Sequence, residues 1–424
     1  MNDASFKERH RTEARYFSRE RVLTFKVMVM LILRKGAKSI QVMVNELLEQ
    51  MGLPVVSKSA YSQARRHLSH TAFIELNQKA IVEVSYRDEG YQRYWGYRLL
   101  GIDGSKAILP ESESIAQEFG QIKQTSGQKG GQVRGYYSYG LASVLYDVLN
   151  DIALDSVLAH SRAYEVDLAE GHLAHTQADD LVLCDRNYPS YRWLATLIKQ
   201  QRHFVIRCSR SSFATARAMF NGTGADSQIV TLKPPYDQRA DIRQRQLPSQ
   251  ITVRFVRLPL ANGDIEILVT DLLDEVRYPT AEFGPLYHLR WGVETFYGRL
   301  KTRLLLENFS GYSAEAVKQD FFATIFITGL ESLLTDTATT RLQLRSAQTH
   351  HLYQVNRAVS FNTLKNHVLD LFETEPDLDT LFDKLTALFL TDPSCSRPNR
   401  SVPRRKRSDR LLLNFHRRKK KICF

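Results

Sequence analysis

The chain contains 424 residues, 43% of them hydrophobic and 25% charged, with a formal net charge of +12; this composition is typical of a soluble globular protein of roughly two to four domains. Its four cysteines show no CxxC spacing, which argues against a zinc site and a disulfide framework and favours a reducing compartment. The apolar runs at 22–33 and 321–334 are shorter than the roughly 20 residues of a membrane-spanning helix, so we expect no membrane partner.

Residues 1–85 predict a helical DNA-binding domain. Ser39 is placed to cap a first helix, and Ser59 is placed to cap a second one over residues 60–68. Two helices with a short linker, the second of which carries Arg65 and Arg66, are typical of a helix-turn-helix module that contacts DNA. A small helical subdomain without a DNA role shows the same pattern, and both interpretations stay open.

Residues 95–203 predict the first part of an α/β core. Two short apolar strands each end in an acid, the first in Asp103 and the second in Asp185. The other elements alternate between strand and helix, with strands at 141–150 and 151–158 joined by a turn at Asn150-Asp151, and helices at 161–176 and 189–201. This alternation indicates an α/β layer.

Residues 204–280 predict a β-rich insertion into this core, with strand-like segments and a hairpin turn at Asn262-Gly263. Residues 281–335 return to helical periodicity and form the second part of the core. Residues 336–396 predict a C-terminal helical region, and residues 397–424 form a basic tail.

The positive charge is concentrated at the two ends of the chain. Residues 397–421 hold twelve Lys and Arg and one Asp, and residues 1–38 hold ten basic and four acidic residues, which leaves the middle weakly acidic. A weakly acidic body with basic ends is typical of a protein that binds a polyanion and divalent cations. For the tail, disorder that only aids solubility is the alternative.

The segment that begins at Tyr287 predicts one helix with a functional face. At 100° per residue, four side chains fall within about 60° of one another: Tyr287, Arg290, Glu294 and Lys301. A solvated face with an ordinary i,i+4 ion pair has the same pattern, so this alternative stays open for the isolated helix. Trp291 borders the face, and we interpret it as a core residue.

Three acids far apart in the sequence suit a site for divalent cations. Asp103 and Asp185 at strand ends and Glu294 on a later helix supply the oxygen ligands that Mg²⁺ prefers. Two such ions, about 3.5–4 Å apart, stabilise the attacking and leaving oxygens of a phosphodiester displacement. Gly104 leaves space beside them. A single Asp at a strand end is more often a turn residue, so the prediction depends on the three acids together.

These motifs resemble those of a known family. The pattern Tyr287-x2-Arg290-x3-Glu294-x6-Lys301 is similar to the signature of the insertion-sequence-four family of bacterial DDE transposases. The segments Asp103-Gly-Ser and Asp185-Arg-Asn-Tyr-Pro-Ser resemble its first and second acid motifs. The resemblance extends over roughly residues 5–335.

The resemblance implies an RNase H-like mixed-sheet catalytic core, interrupted by a β-rich insertion. It implies that Asp103, Asp185 and Glu294 hold two Mg²⁺ ions, with Mn²⁺ as an alternative, and are the catalytic residues. In the family, the Tyr, Arg and Lys of the signature contact the DNA end, and this role carries over to three residues of this chain: Tyr287, Arg290 and Lys301.

The resemblance also implies an activity and its partners. We expect a transposase that binds the terminal inverted repeats of its own insertion sequence, cleaves the strands and transfers them to a target. The partners are then double-stranded DNA, as transposon ends and as target, and a second copy of the chain in a synaptic dimer. We expect it in the bacterial cytoplasm, associated with the nucleoid.

Two features depart from the family pattern. Asn187 stands where the family usually has Gly, and the β-rich insertion contains no Trp on which a flipped base could stack, which puts a hairpin intermediate in doubt. Two alternatives stay open. One is an RNase H-like nuclease that cuts without strand transfer, and the other is a DNA-binding regulator descended from a transposase whose site is dead.

Overall fold

A computed structural model describes residues 3–19, 21–36, 38–125, 133–260, 263–372 and 377–396. The chain divides into two compact units, each formed by segments distant in sequence. The first unit comprises Met1–Val84, Ile108–Glu118 and Arg299–Phe424, and the second comprises Ser85–Ala107 and Phe119–Gly298. The predicted basic tail, residues 397–424, lies outside the described residues. Among the residues that the structure describes, we find no helix with the length and hydropathy of a membrane span.

The described α-helices are α1 Ala4–His10, α2 Phe25–Leu33, α3 Ile40–Gln50, α4 Lys58–Arg65, α5 Thr71–Asn77, α6 Glu83–Ser85, α7 Glu113–Phe119, α8 Glu165–His172, α9 Tyr191–Lys199, α10 Ala214–Phe220, α11 Arg239–Gln244, α12 Phe283–His288, α13 Trp291–Thr302, α14 Ala314–Ala347, α15 Arg357–Asn366, α16 Val368–Phe372 and α17 Leu378–Phe389. The described strands are β1 Arg98–Ile108, β2 Gln121–Thr125, β3 Val133–Asp147, β4 Ile152–His160, β5 Asp180–Cys184, β6 His203–Cys208, β7 Ser227–Leu232, β8 Ile251–Pro259, β9 Ile265–Thr270, β10 Leu352–Gln354 and β11 Ser394–Ser396.

A nine-stranded mixed sheet forms the centre of the second unit. Its order is β2-β3-β1-β5-β6-β9-β8-β7, with β4 paired to β3. The central strands β1, β5 and β6 are parallel, and β9, β8 and β7 continue the sheet with antiparallel pairing. β5 is buried along its whole length, as expected of a strand between two parallel neighbours. The predicted RNase H-like α/β core with a mixed sheet is thus confirmed.

The β-rich segment at 204–280 does not form a sheet of its own. Its first strand, β6, pairs in parallel with β5 and is largely buried, so the remaining strands extend the central sheet. The predicted hairpin joins β8 and β9, with Pro259 opposite Ile265 and Gly263 at a φ of +84°. Asn262 itself lies outside the described residues. The turn predicted at Asn150-Asp151 joins β3 and β4, and Asp151 adopts a φ of +58°.

The first unit is helical, as the sequence predicts for its N-terminal and C-terminal parts. The hydroxyl of Ser39 caps α3 by accepting from the amide of Val42, in agreement with the prediction. The next helix begins earlier than predicted, because Ser57 rather than Ser59 caps α4, with the Ala60 amide 3.2 Å from its hydroxyl. The long helix α14 packs against α2 and α5, so the N-terminal and C-terminal segments share one core.

Candidate active site

Asp103 and Asp185 lie next to each other on two paired strands. Asp185 directly follows β5, as predicted, but Asp103 lies within β1, which continues to Ile108 instead of ending at the acid. Ile102 on β1 is in register with Cys184 on β5, and each acid is the residue that follows. Adjacent strands are about 4.8 Å apart, so the two carboxyl groups emerge side by side. Each is oriented by a backbone amide: the Gly104 amide donates to Asp103 over 2.9 Å, and the Asn187 amide donates to Asp185 over 2.8 Å. The bond from the Asn187 amide stabilises the turn after Asp185, although Asn187 stands where the family usually has Gly.

The segment that carries the third acid is two helices rather than one. α12 ends at His288 and α13 begins at Trp291, with a turn between them in which the Arg290 amide donates to the Tyr287 carbonyl over 3.1 Å. Such a bond to the third preceding residue tightens the backbone and ends the regular α-helical phase. The predicted continuous helical face is therefore wrong across this turn, and Tyr287 does not share a helix with Glu294.

Helix α13 is anchored to the strand that carries Asp103. The hydroxyl of Tyr297 donates to the Asp103 carbonyl at 2.9 Å, and the Ala142 carbonyl lies at 3.0 Å. Gly101 on β1 faces the same helix, and a Cβ atom added there would lie 3.4 Å from Cβ of Val293, which is an ordinary van der Waals contact. The Tyr297 bond thereby holds Glu294, on the same helix, near Asp103.

Tyr287 supports the second acid instead of facing solvent. Its side chain is 3% exposed, and its hydroxyl donates to the carbonyl of Cys184 over 3.2 Å, directly before Asp185. Burial raises the pKa of this phenol above its usual range. In this structure the predicted DNA contact of Tyr287 is not accessible, since the hydroxyl is used to fix the end of β5.

Arg290 holds the carboxylate of Glu294. One guanidinium nitrogen donates to Glu294 Oε1 over 2.7 Å, and the side chain of Arg290 is only 5% exposed. The pKa of Arg290 is raised: although burial acts to lower it, Tyr287, Glu294 and Asp103 outweigh that effect. Trp291 is 36% exposed and lies 5.4 Å from this guanidinium, so its interpretation as a core residue is wrong. The DNA contact of Arg290 stays a prediction.

Negative charge is concentrated around Asp103. Burial raises the pKa of the Asp103 carboxyl to about 7, and the charges of Asp185 and, more weakly, Glu294 act in the same direction. All three predicted acids are therefore close enough to influence one another. The three carboxylates repel one another, and a divalent cation bound between them would remove this repulsion.

The donor set fits a hard divalent cation, but the side chains do not form a finished cage. Carboxylate oxygens on two adjacent strands and on a helix beside them are the ligand type that Mg²⁺ and Mn²⁺ take. In the part of the chain that the structure describes, no group of three or more His, Cys, Asp and Glu side chains encloses a position for a metal ion. One reason is that Glu294 is turned to Arg290. A complete site therefore requires side-chain movement.

Two further groups near these acids were not predicted from the sequence. Glu165, in the first turn of α8, packs on Gly104, where a Cβ atom would lie 3.0 Å from its carboxyl carbon. Burial raises its pKa, and the charge of Asp185 does so too. Tyr188 is 1% exposed, and within the described residues its hydroxyl has no hydrogen-bond partner. Tyr188 lies in the second acid motif, which was the only sequence signal for it.

The remaining predicted residues belong to the first unit. Lys301 is half-buried in the last turn of α13, and burial lowers its pKa. Arg66 is exposed at the end of α4, as a DNA contact requires. Arg65 is 3% exposed and its guanidinium pairs with the buried Asp320 at 2.7 Å. A DNA contact by Arg65 is therefore not accessible, because the side chain faces the helical core.

The pKa of Asp103 predicts how stability depends on pH. Its folded-state pKa of about 7 lies above the ordinary pKa of 3.8 for this side chain, so the folded protein holds this proton more tightly than the unfolded chain. The stabilisation is complete below about pH 4 and is lost as the pH rises through about 7. We expect the unfolding free energy in EDTA to fall across this interval, with this group contributing at most about 1.4 kcal/mol per pH unit. Thermal unfolding at a series of pH values measures it, and Asp103→Asn should flatten the profile.

This region of the chain is similar to known proteins. A family profile described as Transposase DDE domain matches residues 95–330, which is more than half of the chain. The Escherichia coli (strain K12) protein named transposase InsG for insertion sequence element IS4 is 24% identical over 251 residues, covering 58% of this chain and 54% of that protein. The match thus spans about half the length of this relative. A solved structure, the piggyBac transposase synaptic complex with hairpin DNA, has a TM-score of 0.41 and 11% identity, covering 89% of this chain and 76% of that one.

The profile match contains both strands and the helix that position the three acids, Asp103, Asp185 and Glu294. It also contains the signature from Tyr287 to Lys301. The predicted DDE transposase family is confirmed: the chain belongs to the family of proteins with a transposase DDE domain.

Proposed function

We propose that this protein is an active DNA transposase that binds the terminal inverted repeats of its insertion sequence, cleaves the DNA and joins the freed end to a target. The register between β1 and β5 carries the proposal, since it sets Asp103 and Asp185 side by side. Helix α13, tied to the Asp103 carbonyl by Tyr297, brings Glu294 to the same place. A regulator with a dead site would not need three acids to keep this arrangement.

In the proposed reaction, Asp103, Asp185 and Glu294 hold the divalent cations that DDE transposases generally use, Mg²⁺ or Mn²⁺. When bound, these ions lower the pKa of the attacking water or hydroxyl and stabilise the charge on the leaving oxygen. Asp103 and Asp185 are already oriented by backbone amides. Glu294 has to leave Arg290, which frees a buried guanidinium to meet a phosphate group of the DNA end.

The bond changes follow the two-step scheme of strand cleavage and strand transfer. In the first step, water attacks a phosphorus atom of the DNA, the bond to the 3′ oxygen breaks, and that oxygen leaves as a 3′-hydroxyl. In the second step, the 3′-hydroxyl attacks a phosphorus atom of another strand and displaces its 3′ oxygen. A proton is lost by each nucleophile and gained by each leaving group, so no oxidant or further reactant is required.

Recognition of the DNA ends is proposed for two basic residues of the first unit. Arg66, which directly follows α4, is exposed, so its guanidinium can make bidentate phosphate contacts. Lys301 supplies a point charge once its half-buried ammonium group turns outward. Two transposon ends have to be held together for joining, so the proposed active form is a dimer on DNA.

The proposal predicts metal-dependent cleavage and joining that depend on Glu294. A DNA substrate carrying the inverted repeats that flank the coding sequence is incubated with the purified protein and a target plasmid. We expect cleaved ends and joined products with Mg²⁺, and neither with EDTA. Glu294→Gln removes a charged ligand but keeps the side-chain size, so we expect no product. Gel electrophoresis of labelled ends measures both steps.

The matched control is Glu282→Gln, the same change at an exposed position in the second unit, which should leave both products unchanged. Cleaved ends without joined products would favour the nuclease alternative. DNA binding without cleavage would favour the regulator. Equal cleavage by the Glu294→Gln variant would remove Glu294 from the proposed site.

A further inference from the structure

The carboxylate of Glu165 lies against the backbone that follows the first catalytic acid. A Cβ atom added at Gly104 would lie 3.0 Å from Glu165 Cδ and 3.1 Å from its Oε1. The space that Gly104 leaves open is therefore filled by a carboxyl group. The sequence suggested that this space accommodates metal ions, and the structure places a further oxygen donor there.

Helix capping alone does not explain this position. α8 begins with two acids, Glu165 and Asp167, and both are favourable at a helix N-terminus. Asp167 points away and pairs with Arg192 at 2.5 Å. Glu165 instead lies where the charge of Asp185 acts against its ionised form, and Lys106 offsets this more weakly. A carboxylate among other carboxylates costs free energy unless they share a cation.

The position of Glu165 is set by a firmly attached helix. At the other end of α8, the buried ring of His172 lies 2.9 Å from the hydroxyl of Ser143 on β3 and 2.6 Å from a carboxylate oxygen of Asp155 on β4. These three side chains have the connectivity of a catalytic triad. Ser143 is completely buried within the sheet, however, so no substrate can reach it. The three serve to fix α8, and with it Glu165, on the sheet.

The Tyr188 hydroxyl gives a second, independent indication of a ligand at the same place. Its side chain is 99% buried, and its hydroxyl has no hydrogen-bond partner among the described residues. The hydroxyl is close enough to Asp103 and Glu165 for both charges to act on it. A buried hydroxyl without a partner costs about 1–3 kcal/mol, so a site that later supplies an acceptor would recover this free energy.

We propose that Glu165 is a fourth carboxylate ligand of the divalent-cation site, and that the Tyr188 hydroxyl donates to the Glu165 carboxylate when the cation is bound. The inference rests on the proposed function, because the cation is the one that the transposase reaction uses. Glu165 then joins the three predicted acids as an oxygen ligand when the side chains close on the ion, because among the described residues no three such side chains enclose a metal position as they stand. Tyr188 acts as a positioning residue, since it touches the ligand and not the ion.

Titration of the DNA-free, full-length protein with Mn²⁺, followed by calorimetry, tests this proposal. We expect Glu165→Gln to weaken Mn²⁺ binding by tenfold or more, and Tyr188→Phe by about tenfold, as for groups that orient a metal ligand. Asp167→Asn is the matched control, two residues further along α8, and should bind as the unmodified protein does. Thermal unfolding in EDTA should show no loss for Tyr188→Phe, because its hydroxyl has no partner to lose.

Asp185→Asn separates a failure of this inference from a failure of the proposed function. If Asp185→Asn weakens Mn²⁺ binding while Glu165→Gln and Tyr188→Phe bind normally, the fourth ligand is refuted and the proposed function stands. If Asp185→Asn also binds normally, the acids do not form a cation site, and both proposals are wrong. If Glu165→Gln does not fold, Tyr188→Phe still decides: normal Mn²⁺ binding by that variant contradicts the inference.

Discussion

Replacing Asp185 with Asn is expected to abolish DNA cleavage while making the metal-free protein more stable at neutral pH. The loss follows because Asn supplies a weaker, uncharged ligand at the strand end. Removing one charge-stabilising group from an active site costs about 10²–10³ in rate, and we expect at least this much for a direct ligand. The gain follows because Asp185 is the neighbouring charge that most strongly raises the pKa of Asp103.

The size of the stability gain follows from that electrostatic coupling. If the pKa of Asp103 falls by one unit in the variant, the unfolding free energy at pH 8 rises by about 1.4 kcal/mol. Thermal unfolding in EDTA at pH 8 and pH 5 measures it, and the gain should be smaller at pH 5, where Asp103 is protonated in both proteins. Cleavage of labelled transposon-end DNA is measured with the same preparations.

Asp167→Asn is the matched control for this prediction. It makes the same chemical change on an exposed residue whose ion pair with Arg192 contributes little. We expect cleavage within twofold of the unmodified protein and a melting temperature that is unchanged or slightly lower. A stable, fully active Asp185→Asn variant would contradict the assignment of the site, and an inactive variant that is also less stable would contradict the electrostatic argument.

The two strand acids could be predicted because local sequence fixes the buried run before each of them. A short apolar run that ends in an acid predicts a buried strand that stops at the acid. Asp185 follows this rule, whereas β1 continues past Asp103 to Ile108. The helix of Glu294 was predicted as well, but not its start. The turn at Arg290 depends on bonds to the third preceding residue, and helical periodicity alone does not reveal them.

Side-chain environment was harder to predict than secondary structure. Arg65 and Arg66 are neighbours on one helix, yet one is buried and the other exposed, because only the fold decides which face of α4 meets α14. Tyr287 was misjudged for the same reason, since a phenol can serve a buried carbonyl as well as DNA. Nothing in the sequence indicated that Glu165 lies beside the first catalytic acid. An acid in the first turn of a helix is ordinary, and its approach to Gly104 is a tertiary contact.

Arg65→Met is expected to destabilise the helical unit strongly, although Arg65 was first predicted to contact DNA. Its guanidinium makes four contacts in the core: with Asp320 at 2.7 Å, Gln319 at 2.6 Å, Ser310 at 2.6 Å and the Ala316 carbonyl at 2.8 Å. Methionine fills similar space but leaves Asp320, which is completely buried, without the guanidinium that pairs with it. Breaking one side of a buried ion pair costs about 3–5 kcal/mol.

Thermal unfolding measures this loss, and the adjacent Arg66→Met variant is the control. For a unit of this size, a loss of 3–5 kcal/mol lowers the melting temperature of its transition by about 10 °C. Arg66→Met should change the melting temperature little, because the residue is exposed, but should weaken binding to transposon-end DNA. Adding Asp320→Asn to Arg65→Met removes the uncompensated charge, so the double variant should lose less stability than the two single losses added together. If the stability losses of the two single variants simply added in the double variant, the buried ion pair would be refuted. A stable Arg65→Met variant with weakened DNA binding would instead support the predicted DNA contact of Arg65.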